Sequence, residues 1–579
     1  MKKLGRPLLA LCLAAALLAG CSAGGGSGAA TSGAATTGAA ESAGAAAAEN
    51  SGGADAAADA TAATAAAAGG EAEQKLTFAV LDDPDSMDPG YTANTFAGPL
   101  FFTAYEGLVR YDTENNMVPG NAESWDVSDD GLTYTFRLRD GLKWSDGSDL
   151  TAADYEFAWK RLLNRDFAAA NAYMVYSYIQ NGKAAYDGEA GMDEVGIRAL
   201  GDATLEVTLE APCSFFLSLL ATWTYMPVCR AVVEGNENWH RDVGNYVSNG
   251  PFRLVDYKMG EGMYLAKNEN YWNAAGVKLE TLSFKIMQDV STALAAYETG
   301  ELDGMLRVPS ADVPSLRARD DFHSMPQFGN TYWLVNTTSG PLADARVRKA
   351  LALAIDRTAL IEDALQATYD SVLGHVPQGY VQSDGQDFRV AGGDYGLSPT
   401  ANIDEAKRLL AEAGYEDLSA FPTLRLGYYT NEAAKTVAET LQQMYKQNLG
   451  IEMDIVSAEW AVFYDQVVQL DYDICAMGDL GTYLHPMAFL STFAGDSPPL
   501  ETGWRNAEYD RLLNDALKET DPAKNEALMH QAEDLFMNDF PIIPLYSGTQ
   551  SMMMGNHVRN WYYSPVGVFV FDRIEIAAK

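Results

Sequence analysis

Hydrophobic and polar positions alternate with two different periods along this chain. Leu132, Tyr134, Phe136 and Leu138 alternate with Thr133, Thr135, Arg137 and Arg139, the period-two pattern of a strand buried on one face, and Asp130-Gly131 ahead of them supplies a turn. Leu205, Val207 and Leu209 repeat the alternation and stop at Pro212, which cannot donate to a ladder. Nearer the start, Leu76 to Leu81 reads as a strand and Asp82 to Pro89 as a turn-rich loop. Between these strands the period lengthens: Thr151 and Asp154 have the spacing of a capping box and open a helix through Ala158, Trp159 and Leu162.

The second half is more regular. Asp344 is placed to cap a helix through Val347, Leu351 and Ile355, and a helix from Asp404 through Leu410 stops at Gly414. Strand-like Leu424 to Tyr429, a helix from Glu432 to Asn448 broken at Gly450, and strand-like Ile451 to Val456 make a βαβ unit. This alternation predicts an α/β protein with largely parallel sheets, whose ligands sit at the carboxyl ends of strands. No internal repeat is visible.

The first 74 residues follow neither period. Lys2, Lys3 and Arg6 precede an apolar run from Pro7 to Ala19, too short to span a bilayer, which reads as an export signal. Leu18, Ala19, Gly20 and Cys21 resemble the bacterial lipobox, in which the peptidase cuts before the cysteine and the thiol carries a diacylglycerol. Residues 1–20 are thus expected to be a signal peptide. Residues 21–74 are expected to be a lipidated cysteine and an Ala/Gly/Ser linker, with too few apolar side chains to fold and a reach of about 40 Å as a flexible coil. About five hundred residues remain, beyond the size at which one core stops growing, so two or more lobes are expected.

The net charge of −39 is spread along the chain without a block of like charges. That excludes a nucleic-acid partner, which needs a basic patch. No HExxH, Walker A, GxSxG or CxxC motif occurs, and the six histidines are spaced for no common metal, so neither enzyme chemistry nor a cofactor or metal is expected. Cys475, His485 and Asp479 have the residue types of a thiol nucleophile, base and orienter, but nothing nearby supplies an oxyanion hole. Cys213 and Cys229 are open to a disulfide or to buried free thiols. Thirty tyrosines and ten tryptophans suit a cleft for mixed polar and apolar ligands, or ordinary core packing.

The run from Ala122 to Trp159, AESWDVSDDGLTYTFRLRDGLKWSDGSDLTAADYEFAW, resembles a signature of the extracellular solute-binding proteins of the oligopeptide and dipeptide class, family 5. Further matches follow in order: TLEVTLEAP ending at Pro212, SNGPFRL from Ser248, KNENYWN from Lys267, YETGELD ending at Asp303, ADARVRKALALAIDR ending at Arg357 and AEDLFMNDFPIIPLY ending at Tyr546. The resemblance implies a bilobal, type II periplasmic-binding-protein-like fold with a third, smaller domain. Residues 75–105, 192–328 and 546–579 would form lobe I, 106–191 the extra domain and 329–545 lobe II. It implies a monomer that encloses a peptide or other small solute between its lobes. It also implies delivery to the permease subunits of an ABC importer from outside the cytoplasm, with the membrane reached through the lipid on Cys21.

The same resemblance places Ala93, Asn94 and Thr95 against the ligand backbone, and Trp460 and Tyr173 along side-chain pockets. Peptide-binding members carry a Trp, an Asp three residues on that pairs with the ligand's α-ammonium, and a Tyr directly after it. Here the run Gly478 to Pro486, GDLGTYLHP, aligns on Tyr483 with Asp479 at the Trp position and Thr482 at the Asp position. A neutral hydroxyl cannot supply a charge-assisted bond to an ammonium. Either Asp479 takes over from a displaced position or the ligand lacks a free amino terminus. Gly478, Asp479, Thr482 and Tyr483 complete the expected binding residues. The alternatives are a non-peptide solute (a modified peptide, a glycan fragment or a metal chelate) and a peptide-sensing receptor.

Overall fold

The computed structural model describes residues 72–578 apart from residues 93, 237 and 496–499. The expected signal peptide, Cys21, the linker up to residue 71 and Ala93 lie outside the described residues.

Two large sheets organise the chain. The first has seven strands in the order Phe322–Pro326, Thr549–Met554, Gly304–Met305, Lys75–Val80, Thr281–Ile286, Gly262–Lys267, Phe252–Lys258. The second has six, in the order Asp370–Ser371, Ile542–Ser547, Gly329–Val335, Ile474–Leu480, Leu424–Tyr429, Met453–Ala458. The expectation of largely parallel sheets is corrected here, because both are mixed. Lys75–Val80 in the first and Leu424–Tyr429 in the second each run parallel to both of their neighbours, and the other pairings described in the two sheets are antiparallel. Parallel pairing needs a long crossover, and the helix Glu432–Leu449 provides one between its two flanking strands. Phe252–Lys258 and Gly262–Lys267 instead reverse through a tight turn, with Glu261 N donating to Lys258 O. Side-chain alternation is the same in both arrangements, so the sequence pattern does not separate them.

A smaller four-stranded antiparallel sheet, Ala122–Val127, Thr133–Leu138, Thr204–Thr208 and Ile197–Gly201, forms the third unit. Phe136 faces Leu205 and Tyr134 faces Val207 in its register, so the two alternating stretches legible in the sequence are neighbours. The expected boundary between residues 191 and 192 would cut the last two strands from this sheet; a boundary after Thr208 keeps it whole.

Local signals behave as chemistry predicts. Asn431 caps the helix Glu432–Leu449 by accepting from Ala434 N, and Gly450 ends it with φ +74°, a conformation that costs glycine little. Asp344 accepts from Arg346 N at 2.9 Å. Thr151 N donates to Asp154 Oδ2 at 2.9 Å at the start of Ala152–Leu162, and Asp154 Oδ1 accepts from Arg230 N at 3.0 Å, so one buried carboxylate ties a cap to a distant loop. Asp154→Ala removes both contacts. It is expected to lower the unfolding free energy by about 1–2 kcal/mol in urea titrations, with native circular dichroism retained.

Many of the aromatics serve the core. Trp144, Trp159, Trp239 and Trp333 are fully buried, and Trp159 Nε1 donates to Tyr225 O at 2.9 Å. Cys213, Cys229 and Cys475 are buried free thiols, which closes the disulfide alternative.

Candidate ligand-binding site

The chain passes between the two large sheets at two adjacent places, from Pro326 to Gly329 and from Ser547 to Thr549. Gln327 N donates to Gly548 O at 3.0 Å, and the Ser547 hydroxyl donates to Gly329 O at 2.6 Å, so the crossings are stitched together. Both lie beyond the carboxyl ends of the parallel strands. Pro326 faces Thr549 in the first sheet, and Gly329 faces Leu480 in the second. The carboxyl ends of Lys75–Val80, Gly304–Met305, Leu424–Tyr429 and Ile474–Leu480 therefore open toward the junction between the lobes. This is where α/β sheets place ligands.

On the second lobe the parallel ladder between Leu424–Tyr429 and Ile474–Leu480 covers only Leu426 with Ile474 and Gly427 with Cys475. Among the described residues, 476–480 are paired in the sheet on one side alone, against Gly329–Trp333, and turn the main-chain groups of the other side away from the ladder. Gly478 lets those two strands close up: a Cβ there would lie 2.7 Å from Asn330 O. Tyr429 and Trp460 flank the open edge with ring centroids 5.2 Å apart, and Trp460 is 37% exposed. Asp479, partly buried, accepts a 2.6 Å hydrogen bond from Tyr332 Oη. Burial pushes its carboxyl up to about 6, with the Tyr332 bond pulling the other way.

On the first lobe the loop after Val80 carries Asn94 and Thr95. Asn94 Oδ1 accepts from Phe96 N at 3.0 Å and Thr95 is exposed. The loop is pinned by Asp88, which is buried and receives both Nη atoms of Arg161 at 2.7 and 2.8 Å. At the same end of the sheet Arg307 follows Met305.

Tyr483 is buried, stacked on Phe215 with centroids 4.7 Å apart and planes 10° from parallel. Tyr173 is an electrostatic neighbour of the same phenol, as are Tyr178 and Cys213. Tyr173 and Tyr483 are thus brought together at a contact joining the second lobe to the rest of the molecule, while Thr482 beside them is exposed. The thiol constellation does not assemble. Burial pushes the Cys475 thiol well above its ordinary value, Asp479 is bonded to Tyr332, and His485 Nδ1 accepts from Met487 N at 3.3 Å while burial holds its ring down to about 3. Sequence reasoning missed Tyr332, Tyr429 and Phe215. Tyr429 ends an alternating strand, which is a usable signal, whereas the others depend on contacts remote in sequence.

The profile of the family described as bacterial extracellular solute-binding proteins, family 5 Middle, matches residues 116–499. The chain belongs to this family. Among relatives of this family 5 protein, the dipeptide-binding protein DppE of Bacillus subtilis (strain 168) is 34% identical over 487 residues, covering 84% of this chain and 89% of the relative. The oligopeptide-binding protein OppA of the same organism is 33% identical over 493 residues, with the same coverage. The periplasmic murein tripeptide binding protein MppA in its unliganded open form aligns with a TM-score of 0.78 at 28% identity, covering 87% of this chain and 97% of that one. The family 5 protein is accordingly an extracytoplasmic solute-binding protein of the oligopeptide and dipeptide class, built on that class's mixed α/β fold.

Proposed function

We propose that this protein captures peptides between its two lobes and delivers them to the permease of an ABC importer, held on the cell membrane by a lipidated Cys21 and its linker. The observation that carries this reading is the one-sided strand edge at residues 476–480, lying at the mouth between the lobes. Free main-chain donors and acceptors there suit addition of an extended peptide, whose backbone is the same whatever its side chains. Asp479 beside that edge is the anchor for a ligand α-ammonium, replacing the carboxylate that Thr482 lacks. Trp460 and Tyr429 supply apolar walls for side chains. The relatives' names, dipeptide-binding and oligopeptide-binding, support the same ligand class.

Native mass spectrometry of the purified protein tests this: retained peptides with free amino termini are the expected result, and retention of non-peptide masses alone would overturn it. A second reading, a solute without a free amino group, is favoured by the neutral, exposed Thr482. The two readings separate in Thr482→Asp. If the ligand's amino end lies at this loop, calorimetry is expected to show about tenfold tighter binding of free-amino peptides and no change for N-acetylated ones. Unchanged affinity for both would remove the ammonium from this loop.

A further inference from the structure

Side chains alternate along the strand Gly329–Val335, so Asn330, Tyr332 and Leu334 share one face of the second sheet. In the ladder Asn330 faces Asp479 and Tyr332 faces Met477, which makes Tyr332 and Asp479 diagonal neighbours on that face. At such a separation a long side chain is needed to bridge, and a phenol is long enough. Tyr332 Oη donates to Asp479 Oδ2 at 2.6 Å, the length of a hydrogen bond to a charged oxygen. Among the described residues the other oxygen, Asp479 Oδ1, accepts no hydrogen bond.

The donor is held in place. The Tyr332 ring is fully buried, edge-on to His375 with centroids 5.5 Å apart and to Phe493 at 6.3 Å. Phe493 in turn packs on Phe536 of the helix Pro522–Asp539. Burial first, and then the negative charge of Asp479, push the phenol well above its ordinary value, so it keeps its proton across the pH range of a folded protein. The groups around Asp479 offer no substitute. Asn330 opposite is neutral and spends Nδ2 on His375 O, and Thr482 beyond the strand end is neutral too. Burial raises both the Cys475 thiol and the Tyr429 phenol, so neither carries charge, and it holds the His375 ring down to about 4. Among the described residues no cation pairs with Asp479.

We propose that Tyr332 is the positioning residue of the cleft's ammonium anchor: its hydroxyl ties Oδ2 of Asp479, stabilises the carboxylate in its charged form and leaves Oδ1 for the ligand's amino group. This inference rests on the reading of Asp479 as that anchor and adds the group that makes a partly buried carboxylate serviceable at neutral pH. Burial drives Asp479 toward the neutral acid, which cannot hold an ammonium by charge; the phenol bond opposes burial, and the carboxyl sits at about 6. Tyr332 also lies three residues from Gly329, where one crossing between the lobes ends. The strand that positions the anchor is therefore the strand that leaves the hinge.

The test is titration calorimetry from pH 5 to 8.5 with alanine-rich peptides of two to six residues, each free or acetylated at its amino terminus. Native protein, Tyr332→Phe, Asp479→Asn and the double variant are compared. Tyr332→Phe keeps the ring and removes only the donor. Its rise in affinity for free-amino peptides is expected about one pH unit higher than in native protein, which weakens binding about fivefold at pH 6 and less than twofold at pH 8.5. N-acetylated peptides should bind it as they bind native protein, and in the Asp479→Asn background the change should have no effect. An unshifted rise, equal weakening at every pH, or weakening of N-acetylated peptides to the same degree overturns the inference while leaving peptide binding intact. If native protein binds free and acetylated peptides equally, the anchor reading fails and this inference falls with it. Infrared titration of the ligand-free carboxyl, isolated by subtracting the matching Asp479→Asn spectrum, reads the midpoint without peptide. It should move up in Tyr332→Phe, and an unmoved midpoint in a variant with native circular dichroism counts against the inference.

Discussion

Asp479→Asn is expected to weaken binding of peptides with free amino termini by about 100-fold at pH 7.5, and to leave N-acetylated peptides within a few-fold of their native affinity. The carboxylate lies in a partly desolvated place with one neutral partner, the Tyr332 hydroxyl, and an ammonium brought to it makes a charge-assisted bond worth about 1.5–3 kcal/mol. The amide keeps the shape and loses the charge. The same residue gives a signed pH dependence. With its carboxyl raised to about 6, Asp479 becomes the charged form that an ammonium needs only as pH rises through 6. Affinity for free-amino peptides should climb between pH 5 and 7 and then level off, and the climb should vanish in the variant. The sign for folding is opposite. A raised carboxyl contributes stability that is fully present below the ordinary carboxylate range and is lost as pH rises through about 6. Without ligand, Asp479→Asn should therefore melt higher than native protein at pH 7.5, and the gap should close toward pH 4. Equal peptide affinities in native and variant protein by calorimetry would sink the assignment.

Glu533→Ala is expected to remove about 3–5 kcal/mol of stability, the largest structural effect among the substitutions considered. Glu533 is fully buried on the helix Pro522–Asp539 and gathers four donors: His375 N at 2.9 Å, Val376 N at 2.8 Å, Tyr395 Oη at 3.2 Å and Arg389 Nη1 at 2.5 Å. Truncation leaves the buried Arg389 without its counter-charge and two main-chain N–H groups without acceptors, and such one-sided breakage of a buried pair is what costs most. Removing the second charge as well, in Glu533→Ala with Arg389→Met, should recover part of the loss, which separates the unpaired-charge effect from the lost hydrogen bonds. Urea unfolding followed by tryptophan fluorescence reads both; a loss below about 1 kcal/mol in the single variant would contradict this account. The consequence reaches the ligand cleft. The loop pinned by Glu533 presents His375 O to Asn330 Nδ2, and Asn330 faces Asp479 across the ladder, so a loosened loop should weaken peptide binding as well.

The cleft was only partly legible in the sequence, and the reasons differ residue by residue. Asp479 could be singled out because the aligned motif put a neutral threonine where a carboxylate was expected, and a second acid stood three residues away. Its bond to Tyr332 could not, since nothing local to either residue relates them. Trp460 was legible as an aromatic and lies at the strand ends, but its partner Tyr429 read only as the last alternating residue of a strand. Tyr483 and Tyr173 are both expected to face the ligand; the structure stacks Tyr483 on Phe215, with Tyr173 an electrostatic neighbour of its phenol, a relation that nothing local in the sequence indicates.

Elements whose signals are local were determined by the sequence alone. Asn431 and Gly450 bound one helix, Thr151 and Asp154 open another, and the alternation at residues 132–138 and 204–208 makes strands, because capping and side-chain period act within a few residues. Tertiary structure decided the rest. It set the direction of strand pairing, which depends on whether the connection is a helix or a turn, and it left one side of residues 476–480 unpaired by splaying two strands beyond Cys475. Such features depend on how connections of very different length return the chain to the same place, and side-chain period carries no record of that geometry.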